Sequence, residues 1–240
     1  MFKKKEVKKE RSYGYKKFDY GEICRQLRTN IEYSSFEKKL QVVNFTSTNP
    51  GEGKSDIISN LAIVSVPKYQ NVLLIDCDLR KPAQHKIFNV SNTKGISDIV
   101  LNLDKFDVND DKYFQKFKED KINGTLYLLT SGTKVPNPQE LLASDKFKEL
   151  LNILRTRFQF ILLDCPPISA VADAIPLSNV ADGTVFVISA KETNKNDAKI
   201  ALTQLQRNGA NILGAALTKV EHESDSYYGY YYNYSDTETK

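Results

Sequence analysis

The sequence predicts an α/β fold, a mostly parallel twisted sheet flanked by helices. Two observations lead there. Apolar runs of strand length recur along the 240 residues, and they are nearly continuous instead of alternating, as strands covered on both faces require. Between them lie stretches with helical periodicity, and regular alternation of strand and helix is the pattern of parallel sheets with crossover connections. The length suits one domain with some tail and a sizeable core. In such sheets, ligands bind beyond the carboxyl ends of the strands.

The elements follow in order. Residues 1–19 form a basic arm, and within residues 1–17 Lys3, Lys4, Lys5, Lys8, Lys9, Arg11, Lys16 and Lys17 face only Glu6 and Glu10. Such an arm can lie near anionic lipid or an acidic partner, or simply be solvated. The net charge of +4 is too small to argue for nucleic acid, and none is expected as a partner. The domain spans 20–223. It opens with a helix at about 21–33, then the strand Val42–Phe45, a helix at 54–66 and the strand Val72–Ile75. Pro67 is expected to shorten the second of these helices, because it cannot donate its hydrogen bond. Residues 104–122 are polar and charged and read as a surface excursion before the strand Leu126–Leu129. A helix at 138–156 follows, with Asn137 as its cap, Pro138 in the first turn and Glu140 three residues beyond the cap. The strand Phe160–Leu163, a helix at 171–180, the strand Val185–Ile188, a helix at 195–208 and the strand Ile212–Leu217 complete the pattern. In residues 224–240 the apolar pattern stops and the chain becomes rich in Tyr, Asp and Ser, as in a mobile tail.

Cys24, Cys77 and Cys165 form no C-x-x-C pair and are odd in number, so a disulfide framework or zinc site is not expected and a reducing cytosol fits. No stretch approaches the roughly 18 apolar residues of a membrane span, and the N-terminus lacks a signal peptide's apolar segment. Membrane association is expected only through a partner or surface charge.

The motif with the most chemistry follows the strand at 42–46. Thr46-Ser47-Thr48-Asn49-Pro50-Gly51-Glu52-Gly53-Lys54-Ser55 ends in G-x-G-K-S and opens a helix, the context of a phosphate-binding P-loop. Gly51 and Gly53 let amides approach phosphate, and the helix dipole adds positive potential. Lys54 reaches the β- and γ-phosphates of ATP and Ser55 offers its hydroxyl to Mg²⁺. Asn49, Pro50, Gly51, Glu52, Gly53, Lys54, Ser55 and Asp56 are the expected nucleotide-binding segment. Thr48 stands where the common pattern has its first glycine. Asp56 suits the helix dipole but would sit near the phosphates, so its side chain is expected to point away.

Two apolar strands end in aspartate. Leu74-Ile75-Asp76-Cys77-Asp78-Leu79-Arg80-Lys81-Pro82 sets two carboxylates two residues apart, on one side of an extended chain. They repel unless a cation lies between them or one is protonated. Leu163-Asp164-Cys165-Pro166-Pro167 is a Walker B pattern, which binds Mg²⁺. Arg80 and Lys81 are candidates for neutralising the transferred phosphoryl. Glu22, Arg25 and Arg28 lie along one flank of the first helix. The tail carries Tyr227, Tyr228, Tyr230, Tyr231, Tyr232 and Tyr234, crowded in a way no helix or strand face needs. About 15 extended residues reach on the order of 50 Å, enough for a phenol to enter a neighbouring subunit's site.

The phosphate loop, the two aspartate strands, the E-x-x-R-x-x-R helix and the tyrosine cluster together resemble the bacterial tyrosine kinases of capsule and exopolysaccharide synthesis, in the Gram-positive form where the kinase is a separate chain. The similarity runs from about residue 20 to the end. The resemblance implies a P-loop kinase that phosphorylates its own tail with ATP. Lys54, Asp76 and Asp78 would be its catalytic residues, with Asp78 orienting or deprotonating tyrosine. Ser55, Asp76 and Asp164 would serve the metal, and the six tail tyrosines would be acceptors. Glu22, Arg25 and Arg28 would contact the next subunit of a homo-oligomeric ring, an octamer. It also implies a membrane-spanning polysaccharide chain-length modulator as activator, a cognate tyrosine phosphatase, and a cytoplasmic location at the inner face of the membrane. Asp56 departs from the threonine usual in the family. Two rivals share the phosphate loop. One is a positioning ATPase of the cell-division or plasmid-partition type, which would carry a lysine at Asn49. The other is a nucleotide-binding scaffold that regulates polysaccharide assembly without catalysis.

Overall fold

The computed structural model describes residues 20–35, 39–118, 123–169 and 174–220. The basic arm and the whole of the tyrosine-rich tail lie outside the described residues. Among the described residues the fold is a seven-stranded sheet with the order β3-β4-β2-β5-β1-β6-β7. The strands are β1 (Val42–Ser47), β2 (Asn71–Asp76), β3 (Gln115–Phe117), β4 (Thr125–Leu129), β5 (Phe160–Asp164), β6 (Gly183–Ser189) and β7 (Ile212–Thr218). All pairings are parallel except β3 with β4.

Helices cover both faces, as the continuous apolar strands demand. β2 shows the division residue by residue. Val72 and Leu74 pack with Ile57, Ile58 and Leu61 of α2 (Lys54–Tyr69) and Ile31 of α1 (Tyr20–Tyr33). Leu73 and Ile75 pack on the other face with Ile96 and Ile99 of α4 (Ile96–Leu101), Phe147, Leu150 and Leu154 of α6 (Asp145–Arg157) and Leu177 of α7 (Ala174–Val180). A third group gathers Phe186 of β6 under Ala198, Ala201 and Leu205 of α8 (Lys195–Arg207). Burial of this many aliphatic side chains is the main stabilising contribution, at about 25 cal/mol per Å² of apolar surface removed from water.

Four local expectations are corrected. α2 runs through Pro67 to Tyr69 instead of ending before it. Pro67 falls in the last turn, where its missing N–H withholds only the bond to the Ile63 carbonyl; nearby, the Nη1 of Arg28 donates to the Val64 carbonyl at 2.7 Å. The stretch at 138–156 is two helices, α5 (Pro138–Ala143) and α6, broken at Ser144. Ser144 is extended and its hydroxyl accepts from the Phe147 amide at 3.2 Å, the arrangement of an N-cap. Asn137 does not cap α5 with its side chain, which instead donates to Glu140 at 3.4 Å. The excursion at 104–122 contains the antiparallel edge strand β3. There Phe114 packs against Phe158 and Tyr127, and the Arg157 guanidinium covers all three rings at about 5 Å. The short helices α3 (Gln84–Ile87) and α4 have no counterpart in the sequence pattern.

Candidate active site

The site is built where β1, β2 and β5 end. β1 runs into the phosphate loop, and Gly51 and Gly53 both take left-handed backbone angles, φ 81° and 85°. An L side chain would be strained at either position. Glu52 lies between them but is buried, with its carboxylate folded under the loop. Its Oε2 accepts from the Thr48 amide at 2.9 Å and its Oε1 accepts from the Thr193 hydroxyl at 2.5 Å. The Thr218 hydroxyl donates to the Glu52 carbonyl at 2.5 Å. The loop is therefore braced from β7 and from the turn after β6. Asn49 is held from the far side, where Ser169 Oγ donates to its Oδ1 at 2.9 Å. Pro50 and Asp56 are exposed; the Asp56 side chain is directed to solvent as expected.

Strand register brings the acids together. Asp76 of β2 pairs directly with Asp164 of β5, and neighbouring strands lie about 4.8 Å apart. Both carboxylates are fully buried. Asp76 Oδ2 accepts from the amides of Ala83 and Gln84, each at 2.9 Å, and Oδ1 from the Asp78 amide at 3.2 Å. Asp76 thus anchors the loop that carries Asp78, Arg80 and Lys81. Burial pushes its pKa up, and the Asp164 charge beside it pushes the same way, against the amides of Gln84 and Ala83. β2 ends at Asp76, so Asp78 stands beyond the strand; its Oδ1 accepts from the Lys81 amide at 2.9 Å. Arg80 and Lys81 are exposed at the rim.

Lys54 closes the arrangement. Its Nζ lies 3.6 Å from Asp164 Oδ1, 3.9 Å from Asp78 Oδ2 and 3.5 Å from Ser55 Oγ. Burial works against the ammonium charge, but Asp164 and Asp78 outweigh it and hold the pKa above the ordinary lysine value. Asp164 Oδ1 is buried and has no hydrogen-bond partner. A carboxylate oxygen left this way is stabilised only by a cation.

The donors suit a hard divalent ion: an orphaned carboxylate oxygen, a second buried carboxylate raised in pKa, and the Ser55 hydroxyl at the helix start. Among the described residues no three His, Cys, Asp or Glu side chains form a ready metal cage. Carboxylates and a hydroxyl beside a phosphate loop are donors of the kind Mg²⁺ takes, with phosphate and water filling its octahedron.

Sequence reasoning missed Gln84, Glu52's inward turn, Thr193 and Thr218. Only Gln84 had a nearby signal, its place just after Arg80-Lys81-Pro82.

α1 packs on α2 through Leu27 and Ile31, and its Cys24 is buried. Burial pushes the Cys24 thiol up to about 11; Cys77 and Cys165 are also buried and free, fillers as expected. Arg25 Nε donates to Glu22 Oε2 at 2.8 Å on the exposed face. Arg28 does not share that flank; it is turned onto α2 and pairs with Glu32 at 3.5 Å.

Comparison with known proteins places the chain. The tyrosine-protein kinase YwqD of Bacillus subtilis (strain 168) is 41% identical over 210 residues, covering 88% of this chain and 85% of that protein. The chain belongs to the bacterial tyrosine-protein kinases. As a member it is a nucleotide-binding protein-tyrosine kinase. The crystal structure of the chimerical protein CapA2B2 matches with a TM-score of 0.75 at 33% identity, over 84% of this chain and 85% of that one. The septum site-determining protein MinD of Pyrococcus horikoshii OT3, complexed with Mg-ADP, matches with a TM-score of 0.56 at 20% identity, over 74% and 69% of the two chains. That last likeness shows the fold alone. No family model matches the chain. Among the described residues no helix is long and apolar enough to cross a membrane.

Proposed function

We propose that this kinase transfers the γ-phosphoryl group of ATP to the tyrosines of its own C-terminal cluster and through that state regulates capsular or exopolysaccharide synthesis. One observation carries the reading: the phosphate-loop Lys54 lies between Asp164 and Asp78, at the point where three strand ends and a helix N-terminus converge. The loop N–H groups from Asn49 to Asp56, Pro50 excepted, hold the phosphates. Lys54 is drawn from its carboxylates to the transferred group, with Arg80 and Lys81 adding positive charge at the rim. Ser55, Asp164 and Asp76 hold Mg²⁺, which when bound neutralises phosphate charge. Asp78 stands nearest the rim of the acids and accepts the tyrosine proton late in transfer, since a phenol near pKa 10 loses it readily once the phosphorus–oxygen bond forms. Catalysis is mainly positioning and charge neutralisation.

The tail acts in trans. Its acceptors are Tyr227, Tyr228, Tyr230, Tyr231, Tyr232 and Tyr234, and a homo-oligomeric ring presents each tail to a neighbour. Glu22 and Arg25 on the exposed face of α1 are the ring contacts, while Arg28 supports them from beneath. The cytoplasmic segment of a membrane-spanning chain-length modulator activates the kinase and holds it at the membrane. The family relatives and the CapA2B2 chimera support this reading.

Labelled ATP added to the full chain with that segment tests it. Label on tail tyrosines, absent from Lys54→Met, is the expected result. Free phosphate with unlabelled protein would favour an ATPase, and tail phosphate persisting in Lys54→Met would assign it to another kinase.

A further inference from the structure

We infer that Gln84 is a positioning residue for the phosphoryl-transfer site, one amide that fixes Asp164 and ties the phosphate-loop helix to both acid strands. The inference rests on the kinase reading above, because it assigns Gln84 a task at the same cation and nucleotide.

Gln84 is 2% exposed at the start of α3. An uncharged amide buried beside two carboxylates and a lysine must have its polar atoms satisfied, and here each one is used. Nε2 donates to Asp164 Oδ2 at 2.7 Å and to the Ser55 carbonyl at 3.3 Å. Oε1 accepts from the Ser59 hydroxyl at 2.7 Å. The backbone amide donates to Asp76 Oδ2 at 2.9 Å. The amide has one sensible orientation, since its oxygen placed against Asp164 would set two acceptors together.

The consequence is geometric. Asp164 has two oxygens. Gln84 takes Oδ2, so Oδ1 is left without a hydrogen bond, 3.6 Å from the Lys54 ammonium. Gln84 thereby chooses which oxygen meets the cation and prevents the carboxylate from rotating. Through Ser59 and the Ser55 carbonyl the same amide holds the first turn of α2, which presents the Ser55 hydroxyl. Outer partners of this kind commonly change metal affinity by about 10–100-fold.

The test is calorimetric binding of ADP to the full chain, with and without Mg²⁺, so its readout is independent of turnover. In the wild type, Mg²⁺ strengthens ADP binding; failure of that control would sink the kinase reading itself and this inference with it. Gln84→Leu removes the amide at nearly the same volume. Its expected effect is a loss of about tenfold in the Mg²⁺-dependent strengthening, with Mg²⁺-free ADP affinity unchanged. Ser59→Ala, which removes the hydroxyl shared between the Gln84 oxygen and the Ser55 carbonyl, should lose about threefold and serves if Gln84→Leu does not fold. Gln84→Asn is too short to span both partners and should not rescue. Wild-type strengthening by Mg²⁺ in either folded variant would overturn the inference, as would an equal loss of Mg²⁺-free and Mg²⁺-bound affinity.

Discussion

Two carboxylate clusters sit at opposite ends of the same sheet, and they are built on opposite plans. At the amino end, Asp182 accepts from the amides of Gln41 and Val42 at 2.8 and 2.7 Å and from both terminal nitrogens of Arg155 at 2.8 Å. Burial opposes its charge, but Arg155 and those amides outweigh it and lower its pKa. At the carboxyl end, Asp76 is raised in pKa and Asp164 keeps one oxygen without a hydrogen bond. The first cluster is satisfied and ties β1, α6 and the start of β6 together. The second is under-satisfied and holds a site open for positive charge. A sheet protein can place its stability and its chemistry at separate ends in this way, because parallel strands deliver all their carboxyl ends to one edge.

The comparison can be broken most directly at Lys54. Lys54→Met should lower tail phosphorylation by about 10³-fold while leaving far-UV circular dichroism unchanged; phosphorylation within a few fold of wild type would end the division proposed here. Asp182→Ala should do the reverse. It strands the Arg155 guanidinium and two amides, and stability should fall by about 2–3 kcal/mol by urea titration, with specific activity of the folded protein preserved.

Titration sharpens the contrast. A carboxyl with a lowered folded pKa, such as Asp182, contributes stability that is present above the ordinary carboxylate value and lost as pH falls through the folded pKa. Asp76 has the opposite sign. Its raised folded pKa means that stability is lost as pH rises from the ordinary value through the folded one. Melting temperatures of the nucleotide-free protein should therefore fall on both limbs. Asp182→Asn should flatten only the acid limb, and Mg²⁺ with ADP only the other. The smallest effect is expected at Asp56, exposed in the first turn of α2. Asp56→Thr should tighten ATP binding by about threefold through removal of one negative charge near the phosphates, measured by competition with a fluorescent nucleotide.

Legibility in the sequence followed the range of the interactions. The strands, the glycine turn and the aspartates at the strand ends are local patterns, and they stood where the sequence placed them. The partners of those groups are not local. Gln84 meets Asp164 across 80 residues and Glu52 meets Thr193 across 141, and a lone glutamine or threonine carries no periodicity that would announce it. Pro67 misled because a proline in the last turn withholds one hydrogen bond without ending the helix. The split at Ser144 shows the converse: one hydroxyl cap decided between one helix and two, and the apolar periodicity around it was equally compatible with both.

The fastening of α1 onto the far end of α2 has a mechanical meaning. Glu32 grips Lys68 at 2.6 Å and Tyr69 at 2.8 Å, and Arg28 grips the carbonyl of Val64. α2 is a rod of 16 residues, about 24 Å long at 1.5 Å per residue, with those clasps near its tail and Lys54 at its head. In the ring proposed above, a load placed on Glu22 and Arg25 would pass through those clasps into the rod that opens at Lys54, and assembly would be felt at the phosphate loop.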